Sequence, residues 1–143
     1  MRALLVCLCL LASGALADPV PGAAASLNGY RAQAGRPALT EHPALQATAE
    51  AHARDMVQRR YFSHTGADGS SVGDRLRAQG YRWCHVAENI AKGQTSLGQV
   101  MDGWFFSPGH RTNMIARDAV HFGLARSGTA KDAVWVMVFA RPC

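Results

Sequence analysis

The run Val134-Trp135-Val136-Met137-Val138-Phe139 constrains this chain more than any other segment. It is too short for a helix of ordinary length and rich in β-branched and aromatic residues, so it reads as a strand. It is apolar on both faces, and such a strand needs cover from both sides, so helices must flank its sheet. Two more segments read as strands by alternation. Trp83 to Ile90 puts Val86, Glu88 and Ile90 on one face, and Val120 to Ala125 groups Val120, Phe122 and Leu124.

The covering helices are legible from spacing. Ala24 to Ala34 places Leu27, Tyr30, Arg31 and Ala34 on one face, with Gly35 as its stop. Pro43 to about Arg60 carries the stripe Leu45, Ala49, Ala53 and Met56, with Pro43 at the first helical position. Ser71 and Asp74 form a capping-box pattern that starts a third helix, and Gly80 ends it. Leu97, Val100, Met101, Trp104 and Phe105 recur at i, i+3, i+4, i+7 and i+8. Ser107 and Pro108 then form a natural N-cap and first turn, which places His110 at the start of a fifth helix. The expected fold is α+β, a three-layer α-β-α sandwich around a small, mainly antiparallel sheet.

The N-terminus has the layout of a secretory signal peptide: Arg2, the apolar stretch Ala3 to Ala12, the break Ser13-Gly14, and the cleavage site Ala15-Leu16-Ala17. Residues 1–17 are read as the signal, 18–25 as a leader and 26–143 as one domain, with cleavage near Ala17-Asp18. No apolar run reaches the ~20 residues that spanning a bilayer requires. Cys7 and Cys9 leave with the signal, so Cys84 and Cys143 are expected to pair in the exported domain. The alternative is that Cys84, beside His85, ligates a metal. The formal net charge is +5, but the basic residues are scattered and Arg59-Arg60 is the one adjacent pair. That excludes a nucleic-acid stripe and leaves weak attraction to anionic surfaces.

Three residues stand out chemically. His64 lies where an aromatic-ended helix turns into a Gly/Asp loop, and His110 lies in Ser107-Pro108-Gly109-His110-Arg111. Glu88 interrupts an apolar strand face, where a carboxylate must find a partner. By contrast, His52 reads as a packed core histidine. His85 faces away from Glu88, and His42 and His121 read as surface or sheet-edge residues. Ser63 and Ser107 sit near the histidines, but nothing marks a nucleophile elbow. Trp104-Phe105-Phe106 reads as core packing, with a lipid groove as the alternative.

Taken together, the motifs resemble the CAP superfamily, also called SCP/TAPS, of cysteine-rich secretory proteins, antigen 5 and pathogenesis-related 1 proteins. The similarity is strongest to small bacterial secreted members. It runs from Leu27 to Phe139 through Phe62-Ser63-His64, Ala87-Glu88-Asn89-Ile90, Ser107-Pro108-Gly109-His110-Arg111 and Phe122-Gly123-Leu124-Ala125. The resemblance implies an α-β-α sandwich and a cleft lined by two histidines and two acids. His64, Glu88 and His110 match three of the four. Many relatives carry a Glu soon after the first histidine. Here Asp68 is the only nearby carboxylate, so the fourth position is Asp-substituted or empty.

Two imidazoles with a carboxylate in reach suit Zn²⁺ or another divalent transition metal. His64, His110 and Glu88 are therefore the expected metal residues. The expected function is an exported binding protein, secreted or periplasmic and monomeric, for an extracytoplasmic ligand such as a lipid or cell-envelope component. A metal-dependent hydrolase or peptidase with Glu88 as base is one alternative, and a sterol- or lipid-binding carrier is another.

Overall fold

The computed structural model describes residues 20–143, so the signal-peptide reading lies outside the described residues. The helices are α1 (Ala23–Gln33), α2 (Pro43–Arg59), α3 (Val72–Ala78), α4 (Leu97–Phe105) and α5 (Pro108–Met114). The strands are β1 (Thr40–Glu41), β2 (Trp83–Lys92), β3 (His121–Ser127) and β4 (Val134–Pro142), in the sheet order β1-β3-β4-β2. β4 pairs antiparallel with both β3 and β2, while β1 pairs parallel with β3.

β4 is buried on both faces, as its composition requires. Trp135, Met137 and Phe139 pack with Leu27, Met101, Trp104 and Met114 of α1, α4 and α5. Val134, Val136, Val138 and Ala140 pack with Leu45, Ala49, Ala53, Met56 and Leu76 of α2 and α3. The sheet thus separates two cores, which makes the molecule a three-layer sandwich. Near the start of β2, Cys84 is bonded to Cys143, with Cα atoms 4.9 Å apart. That pairing removes Cys84 from the metal-ligand alternative.

The capping expectations hold at α3, where Ser71 and Asp74 make a full capping box. At α2 the N-cap is His42, whose Nδ1 accepts from the Ala44 N–H at 3.2 Å. Three details differ from the sequence reading. α1 begins at Ala23, inside the stretch read as leader, because Ala23 is itself buried in the core. Val120 does not join Phe122 and Leu124, because β3 starts one residue later and Val120 is exposed. β1 escaped notice because two residues are too few to show alternation.

Gly123 explains how closely α2 lies on the sheet. A Cβ at this position would stand 2.4 Å from both the Gln46 nitrogen and the Leu45 carbonyl carbon. The Gln46 side chain fixes the same approach by bonding the Leu124 N–H and C=O at 3.1 and 2.9 Å. Gly123→Ala is therefore expected to push α2 off β3 and cost about 2 kcal/mol. Urea unfolding measures this as a lower midpoint at an unchanged m-value, and an unchanged midpoint would refute the close approach.

Candidate functional site

Glu88 projects from β2 toward α2 and α3, and its side chain is 2% exposed. A buried carboxylate needs partners, and it has two. Arg75 of α3 donates from Nη2 to Oε2 at 2.8 Å, and the His64 Nδ1–H donates to Oε1 at 2.8 Å. Arg75 also donates from Nη1 to the carbonyls of His64 and Ser70, at 3.0 and 2.9 Å. His52, one helix away, donates from Nε2 to the Ser63 carbonyl at 2.9 Å and lies 4.0 Å from Glu88 Oε1. The His64 segment is thus held by side chains from α2, α3 and β2.

His110 is positioned from the other layer. It is the third residue of α5, and its carbonyl accepts from Asn89 Nδ2 at 3.0 Å. Asn89 is fully buried and its Oδ1 accepts from Asn113 at 2.8 Å, so β2 and α5 are locked together. Asn89 therefore ties the strand to the helix that carries His110. Ser107 begins α5 as expected, but its hydroxyl makes no cap bond and instead meets His110 Nδ1 at 3.0 Å. Both cleft histidines are thus anchored through Nδ1, which leaves each Nε2 without a protein partner in these contacts.

The electrostatics set the two rings apart. The hydrogen bond to Glu88 raises the His64 pKa above the ordinary imidazole value of 6.5, against burial and the nearby Arg75. Burial lowers that of His110, and the charge on His64 lowers it further. Burial lowers the pKa of His52 as well, against the pull of Glu88.

A histidine whose folded pKa is raised adds stability that is complete below its unfolded value and lost as pH rises through the folded one. The His64–Glu88 contact is therefore expected to favour the fold most at mildly acidic pH. Comparing wild type with His64→Gln across pH 5 to 8 by thermal unfolding checks this, using the ordinary imidazole range. The gap between the two should narrow as pH rises, and a gap that widens would contradict the assignment.

Asp68 is held within its own loop. It accepts from the Ser70 N–H at 2.9 Å and lines a cavity with Asp55, Arg59 and Arg75 that neither cleft histidine lines. Among the described residues, no group of three or more His, Cys, Asp or Glu side chains is arranged to hold a metal ion. The ring nitrogens without a protein partner in these contacts are Nε2 of His64 and Nε2 of His110, each oriented through its own Nδ1.

Sequence reasoning missed two members of this arrangement. His52 is buried as expected, but it borders the site. Its signal was a polar residue on the apolar face of α2, facing the strand that carries Glu88. Arg75 carried only a general signal, that a buried Glu88 demands a cation. His42 and His121 lie beside the edge strand β1, as expected, and are half-buried. They stack at 4.7 Å between ring centroids, and His121 Nδ1 meets the Tyr81 hydroxyl at 2.8 Å.

The layers, the sheet order and the bridged corner define a small α-β-α sandwich, which is the class of the cysteine-rich secretory domains. The chain belongs to the CAP, cysteine-rich secretory protein family, whose family model matches residues 25–139. It is 30% identical over 112 residues to the uncharacterized protein YkwD of Bacillus subtilis (strain 168), covering 78% of this chain and 43% of YkwD. The uncharacterized membrane protein YlbC of the same strain is 34% identical over 82 residues, covering 55% of this chain and 24% of YlbC. This chain thus spans less than half the length of either curated relative.

Solved structures agree on the fold. An extracellular protein containing an SCP domain from Bacillus anthracis str. Ames superposes with a TM-score of 0.73 at 27% identity, covering 80% of this chain and 37% of that one. An outer surface protein from Borrelia burgdorferi gives 0.76 at 20% identity, covering 89% of this chain and 99% of that one. No helix among the described residues is long and apolar enough to cross a membrane.

Proposed function

We propose that this is an exported binding protein whose cleft holds a divalent transition metal between His64 and His110. Glu88 acts as the residue that orients His64 and is not itself a ligand. The observation that carries this reading is the 2.8 Å contact between His64 Nδ1 and Glu88, which fixes the ring and leaves Nε2 available. A carboxylate behind a ligating imidazole is the usual way to fix its tautomer and raise its basicity. Ser107 does the corresponding work at His110. The bound ion would supply Lewis acidity and an anchor for oxygen donors on a ligand.

Export is supported by the A-x-A signal pattern and by the extracellular and outer-surface neighbours. Binding is favoured over hydrolysis by the state of Glu88. A general base must come within reach of the proton it removes, and this carboxylate is 2% exposed, with Arg75 and His64 against its two oxygens. The lipid-carrier reading gains little from Trp104, which is buried in the core, whereas Phe106 of the same run is exposed.

Histidine ring ¹⁵N spectra test the ligand geometry. Zn²⁺ is expected to move the Nε2 resonances of His64 and His110 while each Nδ1 keeps its protein partner. Spectra in which Zn²⁺ moves neither ring would end the proposal.

A further inference from the structure

His42 and His121 form a second histidine pair, outside the cleft, and both line an open cavity of about 510 Å³ together with Tyr81 and Arg82. The topology brings them to one face of the sheet. His121 pairs with Ala140, which packs in the core under α2 and α3, so His121 faces that layer. His42 caps α2 on the same side, and the two rings lie 4.7 Å apart between centroids. Glu41 pairs with Phe122, which packs in the opposite core, so this neighbouring carboxylate belongs to the other face.

Hydrogen bonds fix what the two rings offer. His42 Nδ1 accepts from the Ala44 N–H at 3.2 Å, so a neutral His42 carries its proton on Nε2. The Tyr81 hydroxyl meets His121 Nδ1 at 2.8 Å and has no other acceptor in these contacts. Tyr81 is 6% exposed, and a buried hydroxyl needs an acceptor, so it donates and His121 also carries its proton on Nε2. Burial lowers the His121 pKa, and His42 lowers it further, which keeps that ring neutral at neutral pH. Neither Nε2 has a protein partner, and neither is among the polar atoms buried without one, so both are open to solvent. This is the reverse of His64, whose Nδ1–H donates to Glu88 and whose Nε2 is a bare acceptor. A ligating imidazole must present a lone pair, so the second pair is unsuited to a metal and offers two N–H donors instead.

The wall around these donors selects the charge of what they hold. Arg82 is exposed on it, and none of its side chains is an aspartate or a glutamate. N–H donors beside a guanidinium, with no carboxylate side chain to answer them, suit an oxyanion. The Tyr81 ring stands edge-on to His42 at 4.9 Å, and with Ala44 and Pro142 it gives the body of such a molecule an apolar surface. The volume lies within the ~300–1,000 Å³ typical of small-ligand pockets. We infer that this cavity is a binding site for a small organic oxyanion, a carboxylate or a phosphate monoester, held by His42 Nε2, His121 Nε2 and Arg82. The site shares no residue with the His64–His110 cleft, and its test uses no metal.

The test is histidine side-chain ¹⁵N–¹H spectroscopy of the metal-free protein at neutral pH and constant ionic strength. The probes are benzoate, phenyl phosphate and, as the uncharged control, benzamide. Before any addition, His42 and His121 should each show a protonated Nε2. Saturable shifts of both Nε2–H groups are expected with benzoate, with phenyl phosphate or with both, and none with benzamide. Benzoate alone acting would assign the site to carboxylates, and phenyl phosphate alone acting would assign it to phosphate esters. His42→Asn keeps a side-chain cap on α2 but removes the Nε2 donor, so binding followed at His121 should weaken about tenfold. Arg82→Gln alters an exposed residue and should weaken binding by about the same factor. Four results would each overturn the inference: a bare Nε2 on either ring, no saturable shift with either anion, shifts that benzamide reproduces, or an affinity that either variant leaves unchanged.

Discussion

Removing the bridge by the double substitution Cys84→Ser/Cys143→Ser is expected to lower the stability of the domain by about 4 kcal/mol. The two cysteines are 59 positions apart, so the bond closes a long loop that contains α4, α5, β3 and β4. Cross-linking such a loop removes conformations from the unfolded chain, and the gain grows slowly with loop length. The folded state benefits too. β2 lies at one edge of the sheet, and its first residue pairs with Pro142 at the end of β4. Without the bond, that corner is held by the Cys143 N–H to the Arg82 carbonyl at 3.0 Å and by the last rungs of the ladder. The melting temperature should fall by about 15 °C in a domain of this size. Scanning calorimetry of the oxidised protein and the double variant decides it, and a difference of only a degree or two would show that the bridge is incidental.

Glu88→Ala is expected to cost about 3 kcal/mol, toward the lower end of what breaking a buried ion pair costs. The loss comes mainly from what is left behind. Arg75 is 13% exposed at its side chain and would keep its charge with no counter-ion at 2.8 Å. The His64 ring would lose the acceptor that orients it. A double-mutant cycle separates these effects from simple cavity formation. Arg75→Ala alone should be costly because it strands Glu88, whereas the double variant should cost clearly less than the two single losses combined. Strict additivity would mean that Glu88 and Arg75 do not act as a pair, and the description of the buried acid would then be wrong.

The layers were legible because they follow from burial. The run 134–139 is apolar at every position, and only cover on both faces satisfies it. The stripe of α2 and the i, i+3, i+4 pattern of α4 supplied that cover. His64, Glu88 and His110 were legible as candidates through the family motifs and through the oddity of a carboxylate on an apolar face. Their partners were less legible for a physical reason. Which cation meets Glu88 depends on how α3 packs on β2, and no local spacing encodes that. The detour of the Ser107 hydroxyl from cap to ring is a competition between two nearby acceptor and donor groups, which sequence reads as a cap alone. Gly123 appeared in the motif Phe122-Gly123-Leu124, but its reason, the backbone of α2 lying against it, exists only in three dimensions.

The metal proposed between His64 and His110, with Glu88 holding His64 in place, is tested most directly by Zn²⁺ titration calorimetry. The proteins are wild type, His64→Ala and His110→Ala, at neutral pH and again at pH about 5.5. Ligating imidazoles must be neutral, and Glu88 raises the His64 pKa, so affinity should begin to fall above the ordinary imidazole range of about 6.5. Wild type should bind Zn²⁺ at neutral pH and weaken on acidification, and each single variant should lose most of that binding. No Zn²⁺ binding by the wild type at neutral pH, or binding by both variants as tight as that of the wild type, would contradict this reading and leave the two rings as structural residues of the fold.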